Sequence, residues 1–305
     1  MRITQSMVAN NSLRNLSESY RRMDKYQTQI NTGKKITRPS DDPVVAMKGM
    51  FYRSNLSEVE QFKRNLSELY LWMENSEAGV EQTNTGLQRV RELTIQAKTG
   101  TLSPEDRKAV AREIEQIQHD IVSIANTQVA GRYIFHGTDT NNPPVTEGTP
   151  PQVAANLKDS NIQNYNVEVS RGVSMKANIN PSNVFGQELF DTLTKLQAAM
   201  DPDSEAAQKF DPATLNMDDL LKDLDKSMDS LSAERSELGA RYNRLEMIDE
   251  RIAQQEVIAN RVLSDNEDVD LERAIVDLKV QETIHRAALG VGARIIQPSL
   301  LDFLR

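Results

Sequence analysis

Apolar residues recur at every seventh position through the C-terminal half of this chain, and this spacing constrains the fold more than any other feature. A seam of that period predicts a long α-helix that supercoils against another helix. A helix spanning the whole repeat would be about 70 Å long, at about 1.5 Å per residue. We therefore expect a mainly α-helical, elongated rod. The repeat consists of Met217, Leu224, Leu231, Leu238, Leu245, Ile252 and Ala259, with Leu221, Met228, Tyr242 and Leu263 between them.

Both ends of the chain carry shorter apolar stripes with three- and four-residue spacing. Such stripes are typical of amphipathic helices that need a partner helix to cover them. We therefore expect the two ends of the chain to form an assembly interface and not disordered tails. The residues assigned to this interface are Ile3, Met7, Leu13, Leu16, Tyr20, Met23 and Ile30 in the N-terminal segment, and Leu271, Ile275, Leu278, Leu289, Ile296, Leu300 and Leu301 in the C-terminal segment.

A proline-rich turn follows the first predicted helix. Pro39 and Pro43 lie on either side of Asp41 and Asp42, and two prolines so close together forbid a continuous helix. Asp42 is a suitable N-cap because its carboxylate can accept hydrogen bonds from first-turn amides, and Pro43 suits the first helical position. The sequence therefore predicts a turn that separates two helical segments.

Two further apolar stripes predict helices that pack against the long seam. One runs through residues 62–94, and Gly100 is placed to end that helix. The other runs through residues 110–124 and follows Ser103 and Pro104, which form a strong helix start. Each stripe needs a facing stripe, so we expect a helical bundle at the middle of the rod.

The segment 131–186 differs from the rest because proline, glycine and alternating β-type residues replace the helical pattern. Residues 165–170 and 173–179 alternate and flank Arg171 and Gly172, which predicts a β-hairpin. Residues 132–135 are a further short strand candidate. We expect a small β-rich insertion, and the sequence leaves open whether it serves surface display or only fills space.

Composition excludes several classes of function. The chain has 305 residues and a net charge of −9, and no basic stripe of the kind that nucleic-acid binding requires. It contains no cysteine, so disulfides, thiolate catalysis and cysteine-ligated zinc are ruled out. His119, His136 and His285 lie far apart, so neither a metal site nor a cofactor is expected. No apolar run suits a membrane span or signal peptide, so we expect no membrane insertion and no cleavage on leaving the cell.

No candidate for catalysis survives closer inspection. Gly290 and Gly292 resemble part of a phosphate-binding loop, but neither a strand before them nor a third glycine is present. These glycines and the nearby alanines are better explained by close approach of two helices. The pair Asp218 and Asp219 suits a helix start. Residues 265–270 lack the glycine of a calcium loop, so we interpret them as an acidic link that ends in a helix cap. We expect a protein that is not an enzyme.

Three passages resemble the flagellin superfamily, and within it the hook-filament junction family. They are the first helix with the turn at 39–43, the Gly-Arg-Tyr-Ile-Phe-His-Gly-Thr passage at 131–138, and the ending at 287–304. Filament flagellins typically have Gly-Asp-Asp in place of the Pro-Ser-Asp-Asp-Pro turn and lack the Gly-Arg-Tyr-Ile-Phe passage. The junction family is therefore the better match, and the resemblance covers essentially the whole chain.

The resemblance implies a secreted, extracellular subunit of the bacterial flagellum. It implies a ring of subunits whose neighbours are copies of the same chain, a hook-side junction protein and filament flagellin. It also implies unfolded export through the flagellar type III apparatus, with a chaperone on the C-terminal helix. The terminal helices of that family form an inner tube, which agrees with the stripes at both ends of this chain.

The expected division is an N-terminal inner-tube helix at 1–40, helical core at 41–130 and 187–263, the β-rich insertion at 131–186, and a C-terminal inner-tube helix at 264–305. Two other functions remain open. A filament flagellin would polymerise by itself into long tubes. A cytoplasmic coiled-coil scaffold would remain inside the cell, since heptads alone are unspecific.

Overall fold

The computed structural model describes residues 5–99, 102–157 and 164–296. The described chain is mainly helical, and its strands are confined to the stretch between the third and fourth helices. Short 3-10 turns lie at Ala155–Leu157 and Pro212–Thr214. The α-helices are α1 Gln5–Thr32, α2 Pro43–Lys98, α3 Pro104–Ala125, α4 Pro181–Val184, α5 Gln187–Met200, α6 Glu205–Lys209, α7 Met217–Glu267 and α8 Leu271–Ile296.

The strands form three small antiparallel pairs, β1 with β2, β3 with β4 and β5 with β6. The β5–β6 pair confirms the predicted hairpin, with Val167 opposite Met175 and a positive φ of 72° at Gly172 in the turn. The strand predicted at 132–135 is shorter than expected, since only Arg132 and Tyr133 belong to β2, while Ile134 and Phe135 are buried in the core. The strands are β1 Gln128–Val129, β2 Arg132–Tyr133, β3 Val145–Thr146, β4 Gln152–Val153, β5 Asn166–Ser170 and β6 Val173–Lys176.

Backbone contacts divide the chain into two units. Unit 1 consists of Met1–Val59 and Gln254–Arg305, and unit 2 consists of Glu60–Ala253. Helices α2 and α7 each contribute residues to both units. The five-segment division predicted from the sequence stays a prediction.

The core of unit 2 confirms the heptad seam. Leu224, Leu231, Leu238 and Leu245 of α7 are at most 1% exposed, and residues at similar spacing on α2 are equally buried. Polar contacts also join the two helices, since Arg91 Nε lies 2.7 Å from Asp225 Oδ1. The buried residues of the α2 stripe are Leu66, Met73, Val80, Leu87 and Thr94.

Helix α3 begins as predicted, with Ser103 as its N-cap. The Ser103 side chain accepts a hydrogen bond from the Asp106 amide, and the Asp106 side chain accepts one from the Ser103 amide. Together they form a capping box. Ile114 and Ile121 on its buried face are at most 1% exposed. The residue expected to end α2, Gly100, lies outside the described residues.

The Gly-Arg-Tyr-Ile-Phe passage turns sharply and then enters the core of unit 2. Ala130 and Gly131 both have positive φ, at 51° and 77°, which forms the tight turn between β1 and β2. The fully buried ring of Phe135 contacts that of Phe185 edge-on, with ring centres 4.9 Å apart. A Cβ atom added at Gly79 of α2 would lie 2.7 Å from Phe135 Cζ, so the ring depends on this glycine.

One prediction about the C-terminal end of the chain is wrong. The acidic stretch 265–270 is not a link throughout, because α7 continues to Glu267 and only three residues separate it from α8. The predicted cap is confirmed, since Asp270 Oδ1 accepts a hydrogen bond from the Arg273 amide at 3.1 Å. Within the chain, Gly290 and Gly292 do not make a close helix approach, because a Cβ atom at either would meet nothing within 4 Å. A close approach to a helix of another subunit stays a prediction.

Candidate assembly surface

Helices α1 and α8 of unit 1 pack side by side. The rings of Tyr20 and His285 lie across this pair, with centres 6.1 Å apart. Residues of reduced exposure recur on both helices at alternating spacings of three and four, as in a two-helix coiled coil. On α1 they are Ser12, Leu16, Ser19, Met23, Tyr26 and Ile30, and on α8 they are Ala274, Leu278, Gln281, His285, Ala288 and Gly292. We call these twelve residues the terminal seam.

The terminal seam contains polar atoms that lack hydrogen-bond partners. Among the described residues, Ser19 Oγ, Gln281 Oε1 and His285 Nδ1 are buried and unpartnered. A buried polar atom without a partner costs on the order of 1–3 kcal/mol. The contact between α1 and α8 is therefore weaker than an apolar seam of the same length would be.

A cluster of charged residues lies where the segment after α1 meets the end of α7. The Glu267 carboxylate, whose side chain is only 6% exposed, receives Arg53 Nε on Oε1 and Arg53 Nη2 on Oε2, both at 2.7 Å. Lys34 Nζ lies 3.4 Å from Glu267 Oε2 and 2.7 Å from Asp268 Oδ1. Burial raises the pKa of Glu267, but the hydrogen bonds and charges of Arg53 and Lys34 outweigh it and hold the pKa below its ordinary value.

Backbone hydrogen bonds also join the segment after α1 to the end of α7. The Lys35 amide donates to the Glu267 carbonyl at 2.7 Å, and the Val269 amide donates to the Gly33 carbonyl at 2.9 Å. Gly33 has a φ of 70°, which suits the glycine that ends α1. The segment after α1 is thus paired with the segment after α7, and we call this arrangement with the Arg53–Glu267 ion pair the clasp.

The turn at 39–43 behaves as the sequence predicts. Asp42 Oδ1 accepts hydrogen bonds from the Val44 and Val45 amides, at 3.0 and 3.1 Å, and so caps α2. Asp41 Oδ2 accepts hydrogen bonds from the Thr37 and Arg38 amides. The hydrogen bond from the Arg38 amide is the main reason that the pKa of Asp41 is lowered. Both aspartates therefore shape the backbone, and the capping explanation is sufficient.

Exposed apolar side chains are concentrated in unit 1. Of the twenty large hydrophobic side chains exposed among the described residues, seventeen lie in unit 1 and three in unit 2. The three in unit 2 are Leu71, Ile95 and Met247. Soluble monomers rarely expose large contiguous apolar areas, and such areas mark interaction sites. Unit 1 therefore carries the candidate assembly surface.

The predicted interface residues fall into three groups. Leu16, Met23, Ile30 and Leu278 belong to the terminal seam and are half-buried within the chain. Ile3, Leu300 and Leu301 lie outside the described residues, and Ile296 ends α8. The outward-facing group is Met7, Leu13, Tyr20, Leu271, Ile275 and Leu289, which are between 47% and 60% exposed. The outward group is free to contact another molecule.

Sequence reasoning missed part of this surface. Val44, Met47, Met50 and Phe51 at the start of α2 are between 56% and 68% exposed. Their spacing of three and four was visible in the sequence, but they precede the stripe chosen for that helix. Further exposed residues of unit 1 on α7 and α8 are Val257, Ile258, Val262, Val276, Val280, Ile284 and Val291.

The described ranges hold neither a metal-ion cluster nor a membrane-spanning helix. No group of three or more metal-ligating side chains is present there. None of the described helices is both long and apolar enough to cross a membrane.

Comparison with known proteins supplies a family for this arrangement. The bacterial flagellin N-terminal helical region matches residues 3–140, and the bacterial flagellin C-terminal helical region matches residues 221–304. The chain is 25% identical over 314 residues to flagellar hook-associated protein 3 of Escherichia coli K12, covering 94% of this chain and 95% of that protein. It is 25% identical over 315 residues to flagellin of Bacillus subtilis 168, covering 100% of both. The crystal structure of Bacillus cereus FlgL matches with a TM-score of 0.56 and 25% identity, covering 70% of this chain and 99% of that one.

Proposed function

Because the chain belongs to the bacterial flagellin family, we propose that it is a structural adaptor between the hook side of the flagellum and the flagellin filament. The observation that carries this proposal is the concentration of exposed apolar side chains in unit 1, where both terminal helices lie. The similarity to hook-associated protein 3 along nearly the whole of both chains supports the junction position.

The energetics favour assembly through unit 1. Fully burying an exposed side chain the size of leucine contributes about 1.5–3 kcal/mol, and one that is already half-buried contributes about half of that. Several such contacts together can therefore offset the loss of translational and rotational freedom on association, which costs at least about 4 kcal/mol. Ile275 and Leu289 of α8 are 49% and 47% exposed, although α1 already covers the opposite side of that helix. We infer that the outward group contacts neighbouring subunits, while the terminal seam holds α1 and α8 of one subunit together.

The proposed partners follow from the adaptor role. They are neighbouring copies of this chain, a hook-side junction protein and filament flagellin, with contacts that propagate from subunit to subunit. Before assembly the apolar faces need protection from aggregation, which a chaperone on the C-terminal helix α8 would provide. We propose that the protein acts outside the cell, is exported without a cleaved signal peptide and has no catalytic activity.

A filament flagellin is the second candidate, favoured by the similarity to Bacillus subtilis flagellin over the full length of both chains. The two functions differ in what the purified chain does alone. A filament flagellin polymerises into long tubes by itself, whereas an adaptor remains small until its neighbours are added. Size-exclusion chromatography with light scattering separates the two outcomes.

The test of the assembly surface uses a double substitution, Ile275→Asp with Leu289→Asp, in the full chain. The matched control is Ile95→Asp with Met247→Asp, because these two residues are similarly exposed but lie in unit 2. We expect the unit 1 variant to lose co-sedimentation with filament flagellin while its circular dichroism is unchanged, and the control to bind. Normal binding of the unit 1 variant would refute the proposed surface.

A further inference from the structure

A polar cleft of about 370 Å³ lies in unit 1, between the C-terminal half of α1 and the turn before α2. Four cations line it, Arg21 and Lys25 from α1 and Lys35 and Arg38 from the turn, together with Asp24 and Asp41. Neither the terminal seam nor the outward apolar group uses this cleft. Its walls carry an excess of two positive charges.

Hydrogen bonds within unit 1 fix the walls of the cleft. Gln29 Nε2 donates to the Lys35 carbonyl at 2.6 Å, which ties the turn to α1. The Asp41 carboxylate accepts hydrogen bonds from the Thr37 and Arg38 amides, so one of the two acids is already engaged. Because the backbone is held in this way, the positions from which the cations extend are set before any partner binds.

Most of the cations in the cleft are available. Lys35 Nζ donates to the Asp265 carbonyl at 2.6 Å. Arg21, Lys25 and Arg38 form no ion pair with another residue in the part of the chain that the structure describes. Arg21 and Arg38 both line the cleft, and a guanidinium group binds a carboxylate with paired hydrogen bonds. The cleft therefore fits a partner that presents several carboxylates.

Such a partner surface exists on this same chain. The sequences of the two units differ in charge: unit 1 has sixteen Lys and Arg against fourteen Asp and Glu, and unit 2 has twenty against thirty-one. The excess in unit 2 is densest at residues 201–229, which hold nine acids and three lysines. We call this stretch the acidic segment. Four of its acids already form ion pairs within the chain, and these are Asp203, Asp218, Asp219 and Asp225. Glu205, Asp223 and Asp229 are exposed and form no ion pair within the described residues, so they are the carboxylates open to a partner.

We propose that the cleft formed by Arg21, Lys25, Lys35 and Arg38 binds the acidic segment of a second copy of this chain. Charge complementarity between the cleft and residues 201–229 carries this assignment. The contact joins unit 1 of one copy to unit 2 of the next, so it is heterologous and can continue from copy to copy. It adds a polar contact to the proposed assembly and rests on that proposal only in requiring that copies meet.

The test exploits the lack of cysteine, because engineered thiols are then the only ones present. Full-length Thr28→Cys protein is mixed with full-length Ser227→Cys protein under a mild oxidant at low ionic strength. Thr28 lines the cleft and Ser227 lies in the acidic segment. The control partner is Gln116→Cys, which is exposed in unit 2 outside that segment. We expect a mixed disulfide dimer with Ser227→Cys, and much less with Gln116→Cys.

Charge reversal shows whether the cations of the cleft cause the mixed disulfide dimer to form. In the Thr28→Cys protein, Arg21→Glu with Arg38→Glu should lower the dimer yield about tenfold, as should raising the salt above physiological strength. Adding Asp223→Lys with Asp229→Lys to the Ser227→Cys protein should restore the dimer yield of the charge-reversed Thr28→Cys protein. The matched control, Arg244→Glu with Arg251→Glu, reverses two exposed cations of unit 2 and should have no effect.

Equal dimer yields with Ser227→Cys and Gln116→Cys, or no loss on charge reversal, would overturn the proposal. Capture of added filament flagellin in place of the second copy would overturn the assignment of the occupant. None of these measurements needs a filament or the outward apolar group. The cleft proposal can therefore fail while the adaptor function stands, and the reverse also holds.

Discussion

Arg53 and Glu267 form a two-point ion pair between α2 and α7, with Nε 2.7 Å from Oε1 and Nη2 2.7 Å from Oε2. The two residues are 214 positions apart in the sequence. The Glu267 side chain is 6% exposed and that of Arg53 is 64% exposed, so one partner is buried and the other is in contact with water. Removing Arg53 would leave the buried Glu267 carboxylate without its partner, so the pair is costly to break from its exposed side.

The clasp predicts a specific dependence of unit 1 on pH. A carboxylate whose pKa is lowered in the folded state contributes stability above its unfolded pKa, and loses it as the pH falls through the folded value. The pKa of Glu267 is lowered from an ordinary value of 4.5. We therefore expect hydrogen exchange of the α1 and α8 amides to accelerate as the pH falls below about 4, once corrected for intrinsic exchange rates.

Glu267→Gln should weaken this pH dependence and lower the stability of unit 1 at neutral pH by about 1–2 kcal/mol. Part of the dependence should remain, because the hydrogen bond from Lys34 also lowers the pKa of Asp268. Glu272→Gln is a suitable control, because Glu272 is exposed at the start of α8 and forms no ion pair among the described residues. If the wild-type chain and the Glu267→Gln variant show parallel pH profiles, the ion pair does not hold the clasp together.

Gly79 and Phe135 predict an unusual response to alanine. In an exposed helix interior, glycine to alanine gains about 1 kcal/mol of helix propensity. At Gly79 the added Cβ would lie 2.7 Å from the buried Phe135 ring, which Phe185 holds in place. We therefore expect Gly79→Ala to lower the free energy of unfolding by about 1–3 kcal/mol, measured by urea denaturation.

Gly239 in α7 supplies the control, because a Cβ atom there would meet nothing within 4 Å. Gly239→Ala should raise the free energy of unfolding by up to about 1 kcal/mol. Adding Phe135→Leu to Gly79→Ala should recover part of the loss by removing the ring atoms that clash. Stabilisation by Gly79→Ala alone would show that the Phe135 ring can move aside.

The Asp42 cap predicts a local effect at the start of α2. Its carboxylate accepts hydrogen bonds from the Val44 and Val45 amides, so Asp42→Ala leaves both without a side-chain partner. Replacing such a cap by alanine costs typically about 1 kcal/mol. We expect faster hydrogen exchange in the first turns of α2, and near-normal exchange in Asp42→Ser. If the first turns of α2 exchange as slowly in Asp42→Ala as in the wild-type chain, Pro43 alone sets the helix start.

The elements that rest on local or periodic signals were predictable. The α7 seam follows from a seven-residue repeat, and its leucines are buried as that repeat requires. Ser103 and Asp42 could be recognised in the sequence as helix N-caps, because capping depends only on residues two or three positions away. The β5–β6 hairpin follows from alternation around Gly172 in the same way.

The clasp was not predictable because it depends on distant segments meeting. Lys34, Arg53 and Glu267 are individually ordinary charged residues of a chain with 27% charged residues. Their joint role arises only when the ends of α1 and α7 lie together. The end of α7 was misplaced for a related reason: acidic residues near a helix C-terminus oppose the helix dipole and suggest a link, but Arg53 and Lys34 neutralise Glu267.

The terminal seam was predicted as apolar, and its polar residues provide the last prediction. Gln281 Oε1 is buried on α8 without a hydrogen-bond partner among the described residues. Gln281→Leu removes this unpaired atom and adds apolar contact with α1, so we expect the α1–α8 contact to gain about 1 kcal/mol. The amides of both helices should then exchange several-fold more slowly. Thr283→Val, on an exposed position of α8, should leave them unchanged; unchanged exchange in Gln281→Leu as well would mean that water satisfies Oε1 in solution.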